Sequence, residues 1–160
     1  MTDGILNSAP GNANGANITT AANILVIVDN ATVVGASDAS HEQGIVAKIG
    51  DEDFNFPVGN GTYFRPASLT GGSGSTPSDE FRVEFFSVDP DGPFTASNMN
   101  GVSNTEFWNI ERMIGSSASK VVSLTWDLSI TSDVLDPSVV RLNTVSNPLV
   151  DFWELAGGNG

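Results

Sequence analysis

Few residues in this sequence are suited to chemistry, and most of those are acidic. His41 is the single histidine, set in Ser40-His41-Glu42-Gln43, a polar stretch that reads as a surface loop before a strand. With no second histidine and no cysteine, it lacks the partners of a zinc site. A nucleophilic triad would need a serine and an acid brought beside it by the fold. Glycoside chemistry needs two carboxylates facing across a cleft, and 19 acidic residues make chance pairs plentiful without singling one out. No catalytic residue is assigned, and the chain reads as a non-enzyme. Asp89-x-Asp91-Gly92 and Asp51-Glu52-Asp53 are close carboxylates on turns, a donor set that suits calcium, although neither matches a twelve-residue EF-hand loop. Asp89 and Asp91 are the assigned metal pair, with an ordinary acidic turn as the alternative. No other cofactor is expected. Gly59-Asn60-Gly61 has neither the lysine nor the following helix of a phosphate-binding loop. An intramolecular lysine–asparagine crosslink would have only Lys48 and Lys120 to draw on.

Charge narrows the partners. Six basic residues against 19 acidic ones give a formal net charge of −13. Nucleic acid needs a basic footprint and is excluded, and anionic membrane surfaces are disfavoured. No stretch reaches transmembrane length, so membrane insertion is not expected. Residues 1–20 show no basic start followed by an apolar run. Gly157-Gly158-Asn159-Gly160 reads as a linker, and the chain as a fragment of a longer one.

The elements that must position these residues are short strands. Residues 1–50 form the first expected part. They carry β-like runs at Gly4-Ile5-Leu6, Asn23–Val28, Ala31-Thr32-Val33-Val34 and Gly44–Ile49, with Ile5, Leu25 and Ile45 twenty residues apart. Such spacing with Asn, Gly and Ser at the corners fits β-solenoid rungs; ordinary hairpin strands are the alternative. Residues 51–160 form the second part, an antiparallel β-sandwich. Asp51-Glu52-Asp53 reads as a hairpin turn, with Lys48 able to offset one charge. Phe54 and Phe56 alternate with Asn55 and point to one face. Pro57 must end that strand or place it on an edge, and the glycines that follow supply a tight reversal. Arg65, between Phe64 and Pro66, should lie across an aromatic face or pair with a carboxylate.

Leu69–Ser78 reads as a loop. Glu80–Phe86 alternates strictly through Phe81, Val83 and Phe85. Asn104–Ile114 reads as a strand, although Thr105-Glu106 would also start a helix. It places Trp108, Ile110 and Ile114 on one face and embeds Arg112 among apolar residues. A buried arginine there needs Glu84, Glu106 or Asp127 as partner. Val122, Leu124 and Trp126 share a face of the next strand, and further strands are expected at Val139–Asn143 and Asp151–Leu155. Trp108 and Trp126 read as core. Phe152 and Trp153 face oppositely, so one of them could stack on a sugar. The whole is all-β, with turn signals between short strands in the manner of a sandwich.

The order of these pieces resembles a module found in large surface and secreted proteins of the Bacteroidetes. The matching residues are Phe54-Asn55-Phe56-Pro57-Val58-Gly59, Gly61, Tyr63-Phe64-Arg65-Pro66, Phe81–Phe86, Glu106–Arg112, Val122–Trp126 and Val139–Leu142, spread over about residues 20–155. The resemblance implies a solenoid-capping domain of adhesin-like proteins, many of them exported by type IX secretion. It also implies an extracellular or cell-surface location and neighbouring domains of the same long chain as partners. It implies no enzymatic residue set. Two other functions remain open at this point: a carbohydrate-binding module that takes glycans, and a self-associating filament subunit with an exposed edge strand.

Overall fold

Strand β9 (Glu80–Phe86) follows its sequence pattern to the residue: Phe81, Val83 and Phe85 are buried, and the residues between them are half-buried. The computed structural model describes residues 6–7, 24–61, 63–71, 74–89, 105–115 and 120–125. Contacts divide the chain into two compact units, Met1–Phe86 with Trp108–Trp126, and Ser87–Phe107 with Asp127–Gly160. Of the second, residues 87–89 and 105–107 are described. Among the described residues the chain is all-β, and no helix is long and apolar enough to cross a membrane.

The other strands, in chain order, are β1 (Leu6–Asn7), β2 (Ile24–Ile27), β3 (Glu42–Gln43), β4 (Ile45–Ile49), β5 (Phe54–Phe56), β6 (Gly59–Asn60), β7 (Tyr63–Phe64), β8 (Ala67–Thr70), β10 (Phe107–Ile114) and β11 (Val121–Leu124). A four-stranded sheet has the order β10-β9-β4-β2. Within it β2 runs parallel to β4, with Ile24 opposite Ile45, and β4 runs antiparallel to β9, with Val46 opposite Val83. The sheet takes strands from both sides of residue 50. A three-stranded sheet, β11-β8-β5, is antiparallel throughout. β6 and β7 form a hairpin, and β1 pairs in parallel with β3.

Strand alternation sends one row from each of the larger sheets into a common core. Val46, Phe81, Val83 and Phe85 come from the four-stranded sheet, and Phe54, Phe56, Ala67 and Leu69 from the three-stranded one. Val58 joins them, and Leu25, Ile27, Trp108, Ile110, Val122 and Leu124 pack at the margins. The rings of Phe54 and Phe56 meet edge to face, 5.0 Å between centroids, a favoured aromatic geometry.

Four expectations need correction. Leu69 and Thr70 are not loop, because Ala67 and Leu69 turn inward and β8 is the central strand of its sheet. Asp51-Glu52-Asp53 is not a hairpin turn: it joins β4 to β5, which lie in different sheets. Ala31-Thr32-Val33-Val34 forms no strand, and Val34 is 89% exposed. Arg112 is exposed near the end of β10, so it is not a buried charge in need of a partner. The strand reading of this segment, rather than the helical one, is the structure's. Trp126 and the strands expected at Val139–Asn143 and Asp151–Leu155 lie outside the described residues.

Candidate functional site

Two groups of described titratable side chains are fixed by the ends of strands. The first is the corner where β2 and β4 end and the chain crosses to β5. Asp29 follows β2, while Asp51 and Glu52 follow β4, so parallel pairing delivers all three to the same end of the sheet. Each offers a carboxylate oxygen within 4.8 Å of the others. Lys48 points along the core face of β4 beside Val46, and is only 3% exposed. Its stem lies against the core, with Nζ 5.5 Å from the centre of the Phe54 ring, so a long side chain reaches a polar end from an apolar row.

There Lys48 Nζ donates to the Val28 and Ile49 carbonyls, 2.9 Å each, and pairs with Glu52 Oε2 at 3.1 Å. The Asn30 backbone N–H donates to Glu52 Oε1, and Asn30 Nδ2 donates to Asp29 Oδ2 at 2.7 Å. Lys120 Nζ donates to the Asp51 carbonyl at 2.9 Å. Lys48 and Lys120 are the chain's only lysines, and both serve this corner. Backbone N–H donation, that of Glu52 itself foremost, holds the Glu52 carboxyl below its ordinary range, and Lys48 adds to the effect. Gly50, at φ +139, has no room for a side chain, because a Cβ would strike Glu52 Oε2.

Chemically the corner is an ion cluster with its cation built in. The Lys48 ammonium donates to two backbone carbonyls and stands 3.1 Å from the Glu52 carboxylate. Lys48 is thus held for pairing rather than for attack on an amide, which is where a crosslink would have begun. Asp29 Oδ1 is buried with no hydrogen-bond partner. Oxygen donors at this spacing are of the kind calcium takes, but Glu52 is already committed to Lys48 and Asn30.

The second place is under the β6–β7 hairpin. His41 is 5% exposed, so the expected surface loop is a buried position. Its Nδ1 lies 3.1 Å from the Ser37 carbonyl, and its ring stacks on Phe64 at 6.3 Å. Gly59 makes this possible, since a Cβ there would sit 2.6 Å from His41 Cδ2 and would strike the Tyr63 carbonyl. Nε2 is buried without a hydrogen-bond partner. Beside it Arg65, 5% exposed, stacks under Tyr63 with Cζ 5.3 Å from the ring centre, and its Nη1 donates to the Phe64 carbonyl at 3.1 Å. Trp108 packs on Phe85 at 5.2 Å, and its Nε1 donates to the Arg65 carbonyl at 2.9 Å. The hinge arginine therefore lies across an aromatic face, as its sequence setting implies, and Trp108 ties it to β10.

Of the residues assigned from sequence, the structure brings Phe54, Phe56, Arg65 and Trp108 to or beside the core. Asp89 is exposed, and Asp91 lies outside the described residues. Sequence reasoning missed Asp29 and the depth of Lys48, as well as Asp79. Asp79 is 2% exposed, accepts from Thr76 Oγ1 at 2.7 Å, and leaves no room for a side chain at Gly115. The Thr76-Pro77-Ser78-Asp79 turn before a strand was the available signal for that residue. No protein-family model matches this chain, and no curated protein or solved structure is significantly similar to it.

Proposed function

We propose that the chain is a non-enzymatic extracellular structural module, a cap or spacer within a large surface protein, partnered by neighbouring domains of the same polypeptide. One observation carries this reading. A single sheet begins with parallel pairing and continues with antiparallel pairing. β2 and β4 lie side by side at an offset of 21 residues (Ile24 opposite Ile45) with no helix between them, which is how successive solenoid rungs neighbour one another. On its other edge β4 meets β9 in the antiparallel sense. The exposed end of a stack of rungs needs a cover. Phe54, Phe56 and Val58 pack in one cluster with Val46 of β4 and Phe81 of β9, where such a cover would be seated. A solenoid-like part over residues 1–50 and a sandwich over 51–160 belong to this reading, as do the resemblance to Bacteroidetes surface modules and the surface location it implies.

Phe56→Ala tests it. Truncating a fully buried phenylalanine costs about 3–5 kcal/mol, and a shared core spreads that loss. Hydrogen exchange should show lowered protection in β2 and β4 as well as in β5 and β9. If β2 and β4 keep wild-type protection while β5 loses it, the parallel pair does not rest on the hinge aromatics and the cap reading fails.

A further inference from the structure

We infer that Asn60, the last residue of β6 before the turn of the β6–β7 hairpin, is a site of spontaneous deamidation in the folded chain. Asn60 is exposed, and the residue after it is Gly61, also exposed and at φ +63. No heavy atom lies within 4 Å of the point where a Gly61 Cβ would stand, so the chain packs nothing against that side of the glycine. In the reaction that nitrogen gives its proton to base and attacks Asn60 Cγ. The new N–C bond closes a five-membered succinimide as the side-chain nitrogen leaves with a proton as ammonia. Water then opens the ring at either carbonyl, giving aspartate or isoaspartate, with no change of oxidation state.

The hairpin's strands are two residues each. So short a pair opens locally far more readily than the central strands, and opening gives Asn60 the backbone freedom that ring closure needs. Asn55 provides an internal contrast. Both residues are exposed and paired in strands, Asn60 opposite Tyr63 at the end of two-residue β6 and Asn55 opposite Ser68 in the middle of β5, but Asn55 also accepts from Ser68 Oγ at 3.0 Å and is followed by the buried Phe56. Isoaspartate at position 60 would lengthen the backbone of β6. That would break the Gly59–Phe64 pairing which seats the hairpin on His41.

The experiment is peptide mapping of the native chain after incubation at physiological temperature over a series of mildly alkaline pH values. Trypsin releases Ile49–Arg82 as one fragment, because Arg65 is followed by Pro66, and Asn60-Gly61 is its only Asn-Gly pair. The fragment should gain the mass of an amide turned to an acid, located at Asn60. The gain should accumulate several-fold faster than at Asn55, rise with pH, and be mostly isoaspartate. Asn60→Gln should remove it. Conversion at Asn60 no faster than at Asn55, or conversion seen only in urea, would overturn the inference.

Discussion

At the level of single residues, Glu52 and Glu84 have opposite pH signatures. Glu52 is held below its ordinary range by backbone N–H donation and Lys48. Its contribution to stability is therefore present above the unfolded-state value near 4.5 and is lost as pH falls through the lower folded value. Glu84, on the outer face of β9, is pushed up by desolvation and, second, by the charge of Glu111. The folded chain then holds a proton that the unfolded chain would release, so Glu84 opposes folding at neutral pH and ceases to do so as pH falls below 4.5. Glu52→Gln should lower the melting temperature near pH 7, and Glu84→Gln should raise it. Glu84→Gln should converge on wild type once pH falls below 4.5, whereas Glu52→Gln should do so only after pH has fallen through the lowered folded value. Thermal unfolding across that range checks both signs, and variant curves running parallel to wild type at every pH would contradict both assignments.

Among the elements, the β6–β7 hairpin depends on two glycines for different reasons. Gly61 needs only its positive φ, with open space around it. Alanine there should cost about 1–2 kcal/mol, the penalty of a left-handed conformation. Gly59 is constrained by contact, since a Cβ would meet the His41 ring and the Tyr63 carbonyl. Gly59→Ala should therefore cost more than Gly61→Ala in denaturant unfolding, and it alone should shift the His41 ring resonances in NMR spectra. Equal costs with an unmoved His41 would mean that the hairpin does not sit on the imidazole. What the sequence made legible follows from periodicity. The alternation in Phe54-Asn55-Phe56 and in Glu80–Phe86 is strong because large apolar residues mark every second position, and Pro57 and Gly61 punctuate where their backbones require. β8 was hidden because Ala67-Ser68-Leu69-Thr70 has one large side chain and runs into a glycine-rich loop. The burial of His41 was hidden because Gly59 and Phe64, which cover it, are distant in sequence. The acidic corner was half legible: Asp51 and Glu52 stood out as a carboxylate turn, but Asp29 joins them only through the parallel pairing of β2 with β4.

Over the whole molecule, the formal net charge is −13, and both lysines are spent on one corner. Most carboxylates therefore repel one another across the surface, and this self-repulsion opposes the compact state. Screening relieves it, since the Debye length shortens from about 30 Å at 0.01 M salt to about 8 Å at 0.15 M. The melting temperature should accordingly rise between those concentrations of sodium chloride. The same experiment settles what the Asp29–Asp51–Glu52 corner does with a divalent ion. Screening depends on ionic strength and is indifferent to the corner, whereas a bound ion would have to displace Lys48 from Glu52, where the pair stands at 3.1 Å. Because that cation is already in place, calcium should raise the melting temperature no further than sodium does at matched ionic strength, and Asp29→Asn should respond as wild type does. A saturable rise specific to calcium, lost in Asp29→Asn, would show instead that the carboxylates release the lysine and take the ion.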